Sequence, residues 1–178
     1  GRIFLLMAYP VEMTDWTTSI PDALSGSTML AEVKYNPALA SELNFTEMFG
    51  GYMNGSMGEI SALALILGGL YLLWRKVITW HIPVSILLTM ALFAMGYAIG
   101  FGGSLIYELP LFHLLAGGAL LGAIYMATDY STSPMTHKGM IIYGVGIGVI
   151  TMVIRLWGAY PEGMSFAIFI MNAATPLI

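Results

Sequence analysis

The sequence contains no cysteine, and only 9% of its 178 residues are charged. The first absence excludes disulfides, a cysteine-ligated zinc site and an iron–sulfur cluster held by this chain alone. The second excludes a soluble globular domain, whose residues are typically about 25% charged. Basic residues are the scarcer kind. Six Lys and Arg stand against ten Asp and Glu, for a net charge of −4, so the cationic footprint of a nucleic-acid-binding protein is missing. The three histidines, His81, His113 and His137, lie too far apart for metal-ligand spacing, and no metal site is expected.

What the chain has instead is apolar length. Hydrophobic residues make up 58% of it, and the mean hydropathy is +0.81. Such a surface must meet lipid or protein. Five apolar stretches, at 59–74, 84–101, 111–128, 139–157 and 164–178, follow a polar region. A spanning helix needs about 20 apolar residues, and about 17 at the least. The first stretch reaches that with residues 53–58. The last would be completed by further chain, because the sequence reads as truncated at both ends. Residues 1–9 read as the end of another membrane helix. The expected fold is therefore an all-α, multi-pass transmembrane bundle, with five transmembrane helices within 58–178.

Turn chemistry marks the connections. Pro83 and Pro110 stand near helix starts, Gly100-Phe-Gly-Gly103 ends a span, and Tyr160-Pro-Glu-Gly163 separates the last two. The positive-inside rule gives an orientation. With residues 1–9 running outward, Arg2, Arg75, Lys76 and Lys138 fall on the cytoplasmic side, and Lys34 and Arg155 on the other. Residues 10–57 are then extracytoplasmic. Gly118-xxx-Gly122 and Gly144-x-Gly146-x-Gly148 read as helix-packing positions, with close approach to a flat cofactor as the alternative.

Three places carry chemistry. Asp22-Ala-Leu-Ser25-Gly26-Ser27-Thr28 reads, on its own, as a loop before a helix at 29–34, with Thr28 as N-cap and Glu32 in the first turn. Gly55-Ser56-Met57-Gly58-Glu59 precedes a span. Free N–H groups there would suit an anionic phosphate, although Glu59 would itself favour a plain helix start. Asp129, at the end of the third span, is a carboxylate in or near the membrane and so a candidate functional site. With Thr128, Ser131 and Thr132 it offers hard oxygen ligands for Na⁺ or a proton path, against the alternative of a turn cap. His113, alone in an apolar span, is expected to hydrogen-bond to a neighbouring helix. Arg155 and Glu162 are expected to pair at the outer surface, and Trp74, Trp80, Tyr107, Trp157 and Tyr160 to form interfacial belts.

The segment 22–28 also resembles Asp-x-x-Ser-Gly-Ala-Thr, the flavin-attachment motif of the Rnf and Na⁺-Nqr membrane redox complexes, with Ser27 in place of Ala. The Gly55–Glu59 segment is similar to the Gly-Ser-x-Gly-Glu segment of the RnfD/NqrB family. So are Met126-Ala-Thr-Asp-Tyr-Ser-Thr-Ser-Pro134, Ile154-Arg-Leu-Trp-Gly-Ala-Tyr-Pro-Glu-Gly163 and Met171-Asn-Ala-Ala-Thr-Pro-Leu-Ile178. Trp74-Arg-Lys-Val-Ile-Thr-Trp-His-Ile-Pro83 is nearer to the Rnf branch of that family.

The resemblance implies FMN joined through its phosphate to the Thr28 hydroxyl, with Asp22, Ser25, Gly26, Ser27, Ser56, Gly58 and Glu59 as cofactor-binding positions. It also implies a non-covalent flavin, often riboflavin, and a urea-transporter-like arrangement of inverted halves. The implied function is that of a flavin-carrying subunit of a ferredoxin:NAD⁺ oxidoreductase that moves Na⁺ or H⁺, in the bacterial inner membrane. Its implied partners are the other membrane and peripheral subunits, a second flavin subunit among them. No catalytic residue is assigned, because no complete active site lies on this chain. An NqrB-like part of a Na⁺-translocating NADH:quinone reductase, a non-redox channel or permease, and a passive scaffold are the alternatives.

Overall fold

The computed structural model describes residues 8–9, 15–17, 25–27, 30, 45–51, 61–101, 110–116, 118–158 and 162–178. In chain order the elements are β1 (Asp15–Thr17), β2 (Ser25–Ser27), α1 (Phe45–Gly50), α2 (Ala62–Trp74), α3 (His81–Phe101), α4 (Pro110–Leu115) and α5 (Ala119–Leu121). A π-helical turn (Gly122–Met126), α6 (His137–Trp157), α7 (Met164–Ala174) and a closing 3-10 turn (Thr175–Leu177) follow. The architecture is helical, as expected. The exception is β1 and β2, which pair antiparallel with Trp16 opposite Gly26.

Two helices, His81–Gly100 and His137–Trp157, are long and apolar enough to cross a membrane. Two shorter apolar helices, Ala62–Trp74 and Met164–Leu177, flank them in sequence. Pro83 lies in the first turn of α3, where its missing N–H costs nothing. The start of α6 is capped by Thr136, whose Oγ1 accepts from Gly139 N at 3.0 Å. Ser61 caps α2 in the same way, accepting from Ala64 N at 3.3 Å. Along α3 the residues sort by helical spacing. Ile82, Ile86, Met90 and Ala94 are buried, while Val84, Leu88, Leu92 and Ile99 are exposed. An exposed stripe this apolar is a surface for lipid or for another protein.

Helices α3 and α6 run parallel. Their first residues meet in a stack of His81 on His137, with centroids 4.6 Å apart. Their far ends meet where Trp157 packs edge-on against Phe93 and Tyr97. Glycines allow this closeness. A Cβ on Gly144 would lie 1.8 Å from Ser85 Oγ and 3.2 Å from the Ile82 carbonyl oxygen. One on Gly148 would lie 2.8 Å from Thr89 Cβ and 3.1 Å from the Ile86 oxygen. Gly146, on the other side of α6, faces the Met171 side chain of α7. The packing reading of these three glycines is therefore the observed one. Between membrane helices, small residues do this because lipid removes most of the hydrophobic drive to associate.

The stretch 111–128 is not one continuous α-helix. Among the described residues, α4 ends at Leu115 with one further bond, from Ala116 N to Phe112 O. Gly118 then takes φ 63°, ψ 18°, a left-handed conformation that glycine adopts without penalty. Its role is thus conformational. Gly122 is the packing member of the pair, against Met164. The chain resumes as α5 and a π turn, closed by Ala127 N to Gly122 O at 2.8 Å. Tyr125 reaches across from this turn to donate to the Leu65 carbonyl at 2.9 Å. Gly68 and Gly69 leave room for Tyr125 and Ile124 to dock on α2.

Arg155 holds the break. Its Nη1 donates to the His113 carbonyl at 2.5 Å and its Nη2 to the Ala116 carbonyl at 3.0 Å. These carbonyls lie at the end of α4, where helical partners run out. They also form the negative end of that helix, where a cation is favoured. The expectation of Arg155 at the outer surface is corrected: its side chain is fully buried. The physical reason is that interrupted backbone within a bilayer must find its hydrogen bonds inside the protein. His113 is buried too, with its ring edge-on to Phe112.

This packing makes two substitutions informative, both read as thermal unfolding midpoints of the detergent-solubilised protein. Arg155→Met should lower stability by about 1–3 kcal/mol for each carbonyl left unsatisfied. Arg155→Lys should recover only part of the loss, since one ammonium cannot reproduce the guanidinium fork. Gly148→Leu should cost about 1–3 kcal/mol through overpacking. Gly96→Ala, whose Cβ would meet nothing within 4 Å, should be neutral or stabilising.

Candidate functional site

The expected flavin-attachment segment is partly described. Ser25, Gly26 and Ser27 form β2, whose Ser27 and Ser25 lie opposite Asp15 and Thr17 of β1. The segment is thus a paired strand at these residues, where the sequence reading expected a loop. Leu30, three residues further on, is helical and buried. Asp22 and Thr28 lie outside the described residues, as do Ser56, Gly58 and Glu59. The expected N-cap at Thr28 and the expected phosphate-suited segment at 55–59 are therefore outside them as well.

Asp129 is described fully. It lies between the π turn and α6, exposed, at the end of the bundle where His81 and His137 stack. Its Oδ2 accepts from the Ser131 hydroxyl at 2.7 Å and from the Thr132 hydroxyl at 3.2 Å. Its backbone oxygen accepts from Ser133 N at 3.1 Å. The hydrogen bond from Ser131 is the main cause that holds its carboxyl below the usual carboxylate range; desolvation opposes this, and the Thr132 bond and nearby backbone N–H groups add to it. A depressed pKa means the carboxylate is charged throughout the neutral range. Its contribution to stability is present above the unfolded value and is lost only as pH falls through the folded one.

The structure thus brings Ser131 and Thr132 to Asp129, as the spacing suggested. Thr128 it turns away, donating to the Ile124 carbonyl at 2.6 Å. Chemically the arrangement is a fixed anion whose Oδ2 is already hydrogen-bonded by two hydroxyls. Beside it, His81 is sandwiched between Trp80, at 4.3 Å, and His137, at 4.6 Å. Arg75, Lys76 and Lys138 belong to this end of the bundle, the arrangement that the charge count required of those three.

Sequence reasoning missed two things here. One is the stack of His81 on His137, which joins residues 56 positions apart and has no local signature. The other is the buried Arg155. Its signal was present, as a lone cation inside an apolar run.

Known proteins resemble this chain along its whole length. It matches the NQR2, RnfD, RnfE family over residues 1–178. It is 48% identical over 183 residues to the D subunit of the Na⁺-translocating ferredoxin:NAD⁺ oxidoreductase complex of Acetobacterium woodii, covering all of this chain and 54% of that protein. To the D subunit of the proton-translocating ferredoxin:NAD⁺ oxidoreductase complex of Clostridium ljungdahlii it is 43% identical over 188 residues, covering all of this chain and 56% of that one. To the D subunit of the ion-translocating oxidoreductase complex of Ectopseudomonas mendocina it is 38% identical over 197 residues, covering all of this chain and 57% of the relative. The chain spans a little over half the length of these relatives. With every residue inside the match, the chain belongs to the NQR2, RnfD, RnfE family.

Proposed function

We propose that the chain is part of a flavin-carrying membrane subunit of an Rnf-type complex, which passes electrons between ferredoxin and NAD and couples this to movement of Na⁺ or H⁺. The observation that carries the reading is Asp22-x-x-Ser25-Gly26-Ser27-Thr28, standing in a chain that matches the family throughout. Relatives named for a ferredoxin:NAD⁺ oxidoreductase complex support the reaction, one named for Na⁺ and another for protons. In this reading the protein is a multi-pass, urea-transporter-like bundle in the bacterial inner membrane, with residues 10–57 outside the cytoplasm. Other subunits, a second flavin subunit among them, complete the electron path.

Thr28 lies between β2, which pairs with β1, and the buried Leu30. A covalent tether keeps a flavin at a face from which a free one would be lost. Flavin, once bound, supplies one- and two-electron chemistry; the protein supplies position and electrostatics. Asp22, Ser25, Gly26, Ser27, Ser56, Gly58 and Glu59 remain the cofactor-binding positions of this reading, on the strength of the family resemblance. A riboflavin held without a covalent bond belongs to the same reading, with no ligand assigned. Peptide mass spectrometry of the complex, made with its modifying enzyme, should find FMN less one water on the Thr28 peptide. An unmodified peptide from active complex would overturn the assignment.

Asp129 is the proposed ion-path residue. Its charge at neutral pH suits a cation site better than a group that must release a proton there. Asp129→Asn keeps volume and one oxygen while removing the charge. Ion uptake and ferredoxin-dependent NAD⁺ reduction in vesicles should then fall, or require more cation, across a cation titration. Thr28 flavinylation serves as the control for assembly. Curves like those of the unaltered protein would assign Asp129 to the turn alone.

A further inference from the structure

At the end of the bundle where α3 and α6 begin, the loop after α2 and the loop before α6 enclose a cavity of about 290 Å³. That is near the lower end of small-ligand pockets, roughly 300–1,000 Å³. Its walls have two characters. Val77, Ile78, Ile82, Pro134, Met135 and Met140 are apolar. Lys76, Thr79, Tyr130 and Ser133 supply an ammonium and hydroxyls. Among the described residues that line it, Lys76 is the only charged one, and Asp129 is not among them.

Lys76 carries a second, independent signal. It has φ 55°, the only positive φ among the described non-glycine residues. The bonds Lys76 N to Leu73 O and Val77 N to Leu72 O, both 3.0 Å, form the helix-ending motif whose left-handed position glycine usually takes. A lysine there holds strained backbone that glycine would relieve. Strain kept at the rim of a cavity, by the residue that supplies its charge, points to use of that charge.

We propose that this cavity binds the phosphate of an anionic phospholipid, with Lys76 as its counter-charge and the hydroxyls of Thr79, Tyr130 and Ser133 as donors. Among the described residues the Thr79 hydroxyl is engaged only by the Met140 sulfur, at 3.4 Å, a weak partner readily exchanged for phosphate oxygen. The shared chemistry is that of any phosphate ester. The apolar wall selects the lipid, since a soluble phosphate has no use for it. The setting agrees: the cavity lies at the end of two membrane-length helices, and the exposed Val84 and Leu88 of α3 continue from it along the lipid face. Arg75 and Lys138 add to the positive field at that end, as basic headgroup sites do.

The test uses the full-length protein in neutral detergent, with phosphatidylglycerol, phosphatidylcholine or glycerol phosphate added. Bound lipid is read by native mass spectrometry and stability by the unfolding midpoint. Phosphatidylglycerol should raise the midpoint and remain bound, and the other two should do neither. Lys76→Gly should raise the midpoint without lipid, through relief of strain, and weaken phosphatidylglycerol binding at least tenfold. Lys76→Arg and Lys138→Gln should keep it. If Lys76→Gly fails to fold, Lys76→Gln should show the same loss of lipid. Retention of phosphatidylglycerol by either neutral variant, or equal stabilisation by glycerol phosphate, would overturn the proposal.

Discussion

One guanidinium lets a membrane helix be discontinuous. Stopping α4 within the bundle leaves the carbonyls of its last turn in need of partners, and hydrocarbon offers none. Arg155 donates to the carbonyls of His113 and Ala116 from a neighbouring helix. The two features are each other's justification: the break needs a buried donor fork, and the buried cation needs polar oxygen. The left-handed turn at Gly118, the resumption as α5 and the π turn all follow from that exchange. The π turn in turn aims Tyr125 at Leu65 and seats Ile124 on α2.

The second organising constraint is steric. Core side chains here include Met90, Met152, Met164 and Met171, which are unbranched and adaptable. They fill space around glycines that allow backbone to approach backbone. On α6 the i, i+4 pair Gly144 and Gly148 presents one groove to α3, while Gly146 presents another to α7. A three-glycine run at alternate positions can serve two partners because successive alternate residues fall about 200° apart around a helix.

Much of the helical layout was legible in the sequence, since length, hydropathy and punctuation are local. The start of α3 close to Pro83, and the placement of Arg75, Lys76 and Lys138 at one end, came from such local signals. The break in α4 was not legible, because its hydropathy is continuous and its cause is a residue about 40 positions away. The burial of Arg155 has a sequence signal, a lone cation in an apolar run, but a cation near a span end usually reaches for water, and its partners about 40 positions away decide the matter. In the candidate site, Ser131 and Thr132 stood close enough to Asp129 for their contact to be foreseen. The pairing of β2 with β1 was not, because three-residue strands of Ser and Gly carry no alternating pattern.

Glycine contacts on both sides of α6 also bear on movement. A helix clasped by two neighbours cannot slide or turn without driving a Cα into a side chain, which resists relative movement of α3, α6 and α7. The second apolar cluster, of Ala62, Leu120 and Ile124, joins α2 to the segment after the break, while Ala119, Ala123 and Ala127 tie that segment into the main core and Leu87 touches both clusters. The segment after the break is therefore held on both sides, to α2 by one cluster and to α3, α6 and α7 by the other, so any displacement of α2 has to work against the Gly122–Met164 contact as well.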